Sequence, residues 1–203
     1  MNTEQNGTTR ILIAGFGGQG VLFLGKWIAY AGMMTGRQVT WLPSYGPEMR
    51  GGTANCAVIL SSEPIGSPIV HEMDVLIAMN LPSLLAYQSR VRPGGVIFYD
   101  SSLIHESPAR EDVCCIPLPA TRLATEQGLE GLGNMILLGA FLKERMPLNE
   151  SQIKSVLSQV VPAHKQQLLT SNLCAISLGL GAENVSCAQE PKREAMRHPL
   201  RAG

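Results

Sequence analysis

The stretch RILIAGFGGQGVLFLG, Arg10 to Gly25, constrains the fold more than any other part of the chain. ILIAG (Ile11 to Gly15) is a short apolar run ending in glycine, the pattern of a strand buried on both faces. Gly15, Gly17, Gly18, Gln19 and Gly20 then supply a turn of the G-x-G-x-x-G kind, in the strand-to-helix context that this spacing requires. Glycines allow a tight reversal there, and they let backbone N–H groups approach an anion at the positive end of the following helix. That helix is expected from about Gly18 to Gly36, with Val21, Leu22, Leu24, Ile28, Ala29, Ala31 and Gly32 on its packing face.

The remainder repeats the alternation. QVTWLP (Gln38 to Pro43), TANCAVILSS (Thr53 to Ser62), MDVLIAMN (Met73 to Asn80), VIFYD and a short run around Val113 to Ile116 read as strands. LPSLLAYQSRV, TRLATEQGL, Leu132 to Arg145, Asn149 to Val161 and HKQQLLTSNLCAISLGLGA read as helices. Pro93-Gly94-Gly95 is expected to stop the first of these, and Asn149 or Glu150 to cap the fourth. Buried strands alternating with helices predict a three-layer α/β/α fold with a mostly parallel, possibly mixed, sheet and a Rossmann-like first βαβ unit. The expected organisation is a short flexible N-terminus over 1–9, one α/β domain over 10–181, and a floppy or partner-docked tail over 182–203, where apolar periodicity ceases.

Composition narrows the function classes. Lys plus Arg and Asp plus Glu number 16 each, so no net field attracts nucleic acid or an anionic membrane, and neither is expected as a partner. Charged residues are only 16% of the chain, which leaves a weakly polar surface that suits a subunit covered by others or a monomer with a large buried sheet. No apolar run reaches about 18 residues and MNTEQNGTTR has no signal-peptide core, so a soluble cytoplasmic protein is expected. Cys56, Cys114, Cys115, Cys174 and Cys187 lack C-x-x-C spacing and read as small apolar residues rather than as zinc or iron–sulfur ligands. His71, His105, His164 and His198 have no second ligand at metal spacing and read as surface residues, and no metal site is expected.

A dinucleotide site needs more than the glycine turn. An acidic residue should close the second strand to hold the ribose hydroxyls, but that strand ends WLPSYG, and no carboxylate follows until Glu48. Arg37 and Arg50 are both poorly placed for a 2′-phosphate. The polar chemistry lies instead in the next loop, Ser44-Tyr45-Gly46-Pro47-Glu48-Met49-Arg50-Gly51-Gly52. Ser44 and Tyr45 can line a cleft or simply make the turn. Arg50 can hold a carboxylate or phosphate bidentately or pair with Glu48, and Gly51-Gly52 admits another backbone. Asn80 ends a buried strand and so faces the carboxyl edge, and Asn134 starts an apolar helix that its side chain can either cap or leave to point into the site.

GFGGQG paired with YGPEMRGG resembles the gamma subunit of the 2-oxoacid:ferredoxin oxidoreductases, most closely the 2-oxoglutarate or branched-chain 2-oxoacid type. The resemblance continues through MDVLIAMN, GNMILLGAF and SNLCAISLG, and so spans about 170 residues from Arg10 to Gly181. It implies a multi-subunit enzyme that oxidatively decarboxylates a 2-oxoacid, 2-oxoglutarate being favoured, and passes the acyl group to coenzyme A. Thiamine diphosphate and magnesium, with iron–sulfur clusters that reduce ferredoxin, are then expected on partner alpha, beta and ferredoxin-like delta subunits. No catalytic residue is assigned to this chain, and alone it is expected to be inactive. Gly15, Gly17, Gly18, Gln19, Gly20, Ser44, Tyr45, Gly46, Glu48, Arg50, Gly51, Asn80 and Asn134 are its candidate contacts with ligand or neighbouring subunit. Two rivals stand beside this reading: a stand-alone NAD(P)-binding oxidoreductase, and a purely structural assembly subunit.

Overall fold

The computed structural model describes residues 7–44, 53–162 and 166–182. Six strands, β1 (Thr9–Phe16), β2 (Gln38–Pro43), β3 (Thr53–Ser61), β4 (Met73–Ala78), β5 (Val91–Asp100) and β6 (Cys114–Leu118), form one sheet in the order β2-β3-β1-β4-β5-β6. β1, β4, β5 and β6 run parallel, whereas β3 is antiparallel to both β1 and β2. The sheet is therefore mixed. β1, helix α1 (Val21–Met34) and β2 make the glycine-rich unit, but β3 lies between its two strands.

The two faces carry unequal cover. Ile11 and Ile13 of β1, Val58 of β3, Ile77 of β4 and Phe98 of β5 project to one face. There they meet α1 and the helices α3 (Ala120–Glu126), α4 (Gly133–Arg145), α5 (Glu150–Val160) and α6 (Leu168–Gly181). Alternate residues Leu12, Ile59, Leu76 and Ile97 project to the other face, which strand pleating requires. Among the described residues the only helix packed there is the seven-residue α2 (Leu81–Tyr87), with Leu84 buried, aided by Val70 and Ile104 from irregular segments.

On this thin face guanidinium groups replace helical packing. Arg90 donates to the carbonyls of His71 at 2.7 Å and Val70 at 2.6 Å. Arg110 donates to those of Gln88 and Val91, both at 2.9 Å, while its fork holds Asp112 at 2.6 and 2.7 Å. Such bidentate pairing keeps the Asp112 carboxyl below its ordinary range.

Three elements differ from the sequence expectation. The helix expected as far as Val91 ends at Tyr87 and tightens into a 3₁₀ turn over Gln88–Arg90, and Val91 already pairs with Met73. Pro93-Gly94-Gly95 is consequently an irregularity inside β5, where the register shifts between Met73 and Val75, rather than the turn before it. Trp27 of α1, absent from the expected packing face, is fully buried. At the start of α5, Asn149 and Gln152 form a reciprocal capping box, so the cap is Asn149 and not Glu150.

The thick layer is locked by the crossing of α4 and α6. A Cβ at Gly139 would collide with the carbonyl oxygen of Ile176, and one at Gly179 with that of Ile136. Two glycines thus let the backbones touch, which explains why GNMILLGAF and SNLCAISLG each carry a glycine within an apolar helix. No helix among the described residues is long and apolar enough to cross a membrane.

Candidate functional site

In an open α/β sheet the ligand crevice lies at the carboxyl ends of the strands, where successive connections leave on opposite faces. Here that point falls between β1, whose helix α1 packs on the thick face, and β4, whose helix α2 packs on the thin one. The Gln19 carboxamide occupies it. Its Oε1 accepts from the Phe16 N–H at 2.6 Å and from Asn80 Nδ2 at 3.4 Å, and its Nε2 donates to the Met79 carbonyl at 3.0 Å. Gly15 is buried directly beneath, because a Cβ there would stand 2.8 Å from Gln19 Oε1. Asn80 is also committed to structure. It is buried, and its Oδ1 accepts from the Ser83 N–H at 2.8 Å to cap α2.

Gly17 and Gly18 form the exposed crest of the turn, and Gly20 starts α1 with φ +76°. Asn134 packs on Gly20 so closely that a Cβ at Gly20 would strike its amide nitrogen. This amide donates from Nδ2 to the Gly20 carbonyl at 3.4 Å, which ties α4 to the glycine turn. The expected cap at Asn134 is not made: α4 starts at Gly133 with no side-chain cap, because the carboxamide is turned toward Gly20. Asn134 Oδ1 is buried with no hydrogen-bond partner among the described residues, a costly state for an amide oxygen.

Beside these groups lies a cleft of about 240 Å³, lined by Gly18, Gln19, Met79, Asp100, Thr121 and Asn134 among others. Asp100 and Thr121 are the residues that sequence reasoning missed. Asp100 is buried at the end of β5, where its carboxylate accepts from the Ser102 N–H at 3.0 Å, the Thr121 N–H at 3.0 Å and the Thr121 hydroxyl at 2.5 Å. The available signal was the lone acid closing the apolar run VIFYD. A second, more open cleft of about 430 Å³, lined by Ser101, Ser102, His105, Pro119 and Arg122, adjoins the same strand end.

Ser44 follows β2 on the same edge. Its N–H donates to the Asn55 carbonyl at 2.9 Å, and the residue is exposed. Tyr45, Gly46, Glu48, Arg50 and Gly51 lie outside the described residues. The described residues on either side are fixed all the same: Ser44 directly follows β2 and Thr53 pairs with Phe16, so both lie at the carboxyl edge that carries the glycine turn.

The edge does not fit a dinucleotide. Insertion of β3 moves the end of β2 one further strand spacing, roughly 4.8 Å, away from the turn. Gln19 meanwhile fills the place between β1 and β4. Nor do the described residues offer a metal or cluster site, since no group of three or more His, Cys, Asp or Glu side chains converges among them. Cys56 is buried and its thiol is pushed up to about 12 by that burial, Cys115 is half-buried, and Cys174 is exposed, contrary to the expectation of small buried residues. His71 and His105 are exposed, as expected.

Fold and edge together define a mixed-sheet α/β domain whose switch point is closed by its own carboxamides. Residues 10–182 match the pyruvate ferredoxin/flavodoxin oxidoreductase family, and the chain belongs to that family. It is 44% identical over 133 residues to ketoisovalerate oxidoreductase subunit VorA of Methanothermobacter marburgensis, a match that covers 66% of this chain and 28% of that protein. It is 32% identical over 173 residues to 2-oxoglutarate synthase subunit KorC of Methanocaldococcus jannaschii, covering 83% of this chain and 90% of that one. The chain therefore spans about a third or less of the VorA relatives it matches, but nearly the whole of KorC. Among solved structures, the gamma subunit of a keto/oxoacid ferredoxin oxidoreductase from Geobacter sulfurreducens superposes with a TM-score of 0.75 at 25% identity, covering 88% of this chain and 97% of that one.

Proposed function

We propose that this chain is the gamma subunit of a multi-subunit 2-oxoacid:ferredoxin oxidoreductase, which oxidatively decarboxylates a 2-oxoacid, transfers the acyl group to coenzyme A and reduces ferredoxin. The observation that carries the proposal is family membership over residues 10–182, joined to a carboxyl edge closed against a dinucleotide. The described residues do not fit a resident metal or cluster. The proposal accordingly assigns thiamine diphosphate, magnesium and the iron–sulfur clusters to the alpha, beta and ferredoxin-like subunits, in a cytoplasmic complex.

This chain's contribution is a wall. Its cleft of about 240 Å³ is smaller than a typical drug-sized pocket of roughly 300–1,000 Å³, so it suits a small acid, part of a larger ligand such as coenzyme A, or a neighbour's side chain. Asn134 Oδ1 is an acceptor that awaits one donor, and Arg50, on the loop anchored at the same edge, is the cation for a carboxylate or phosphate. Of the substrates named for its relatives, 2-oxoglutarate is favoured by KorC, which matches along nearly its whole length. A branched-chain 2-oxoacid is favoured by the higher identity to VorA.

The test is purification of the tagged chain from its own host with whatever it carries, followed by assay of coenzyme A-dependent ferredoxin reduction. The proposal requires turnover of 2-oxoglutarate or 3-methyl-2-oxobutanoate in the purified complex. Tight NAD(H) binding by the chain alone, without such turnover, would return it to the stand-alone oxidoreductase reading.

A further inference from the structure

We infer that the thin face of the sheet is a docking face, and that its occupant is the neighbouring domain which longer relatives carry in the same chain and shorter relatives meet as a separate subunit. The inference rests on the gamma-subunit reading and adds to it the surface by which the subunit joins its complex.

Four large apolar side chains stand in solvent on this side. Leu85 of α2 is 55% exposed, Ile69 of the segment before β4 57%, Leu42 of β2 43% and Phe16 at the end of β1 39%. Leu42 belongs to this face because it pairs with Ala57, and Phe16 because it continues the alternation of Leu12. The outward positions of α2, Pro82, Leu85 and Ala86, are all exposed and uncharged, and no Asp, Glu, Lys or Arg occurs between Asp74 and Arg90. An exposed helix normally turns charge to water, so an apolar outer surface on α2, the only helix of this layer among the described residues, marks a contact surface. Charge depletion with an apolar centre is also the composition of the middle of a protein interface.

The lengths of the relatives identify the occupant. One fold serves as 28% of VorA and as 90% of KorC, so it is built both into a longer chain and as almost an entire subunit. A unit used in both ways must keep a face matched to the rest of the assembly. The thick side also exposes Met33, Met34, Trp41 and Leu168, but these sit at helix ends and on the edge strand. The outer surfaces of α3 and α5 there carry the ion pairs Arg122–Glu126 and Glu150–Lys154, whereas the charges of the thin side, Arg90 and the Arg110–Asp112 pair, flank α2. The thin face also reaches the carboxyl edge at Phe16, beside the glycine turn. The docked domain's own surface is uncharged and apolar, to match α2.

The experiment co-produces the tagged chain with the thiamine-binding subunits of its own organism and compares wild type, Leu85→Lys and Leu168→Lys. Leu168 is an exposed leucine on the thick face. Leu85→Lys is expected to reduce co-purification at least tenfold, with an unchanged circular dichroism spectrum, while Leu168→Lys matches wild type. Amide hydrogen exchange on the wild-type complex provides a second readout, in which peptides covering α2 gain protection and peptides covering α5 do not. Intact assembly of Leu85→Lys with unprotected α2 overturns the docking face alone. A wild-type chain that recruits no partner overturns the gamma-subunit reading and the docking face with it. A wild-type chain that dimerises by itself through α2, and is made monomeric by Leu85→Lys, overturns the choice of occupant.

Discussion

Gln19 shows how far a motif can be read before its neighbours are placed. G-x-G-x-x-G leaves its two intermediate positions open, yet here the second of them carries the side chain that joins β1 to β4 by hydrogen bonds to Phe16 N–H and the Met79 carbonyl. Gln19→Ala removes the partner of the partly buried Met79 carbonyl and of the exposed Phe16 N–H, and is expected to cost about 1 kcal/mol, seen as a lower urea midpoint with unchanged slope. Cys56 gives a prediction in pH. Its folded pKa, about 12, lies above its ordinary value of 9.0, so the protonated thiol favours the native state. The contribution is complete below pH 9.0 and is lost as the pH rises toward 12, by about 1 kcal/mol at pH 10. Urea midpoints of wild type and Cys56→Ala at pH 8 and pH 10 check this, and the drop should be smaller in the variant. The legible residues were those whose role follows from local spacing, such as the glycines and Asn149. Asp100 and the alternative chosen by Asn134 were hidden, because their partners lie 21 and 114 residues away.

At the scale of elements, the strands of the parallel half were plain in the sequence, since burial on both faces writes itself as a continuous apolar run. The interposed β3 was not. Nothing in TANCAVILSS states whether it pairs beside β1 or outside β2, because both positions bury the same residues. That single insertion separates β2 from the glycine turn and moves the end of β2 away from the place a ribose-binding acid would need. The early end of α2 was hidden for another reason: a proline near the start and Pro93-Gly94-Gly95 beyond the end make LPSLLAYQSRV read as one helix, while the pairing of Val91 with Met73 wins its end for the sheet. The α4–α6 crossing is testable. Gly139→Ala places a methyl against the Ile176 carbonyl and forces the helices apart. A loss of about 1–3 kcal/mol is expected, with a fall in melting temperature, whereas alanine at the open position Gly181 should lack that steric cost.

For the whole molecule, low charge and a one-sided helical layer point the same way. The chain encloses a thick core on one face, leaves the other thinly covered, and gathers its polar groups at one edge around a small cleft. Composition alone left a covered subunit and a large-cored monomer equally open; four exposed apolar side chains on the thin side favour the subunit. The most direct measurement of that account is acyl-CoA formation from 2-oxoacid and coenzyme A by the co-produced alpha and beta subunits, with and without this chain. The account predicts turnover only when the chain is present, with none from the chain alone. Full turnover by a stable complex that lacks it would contradict the account.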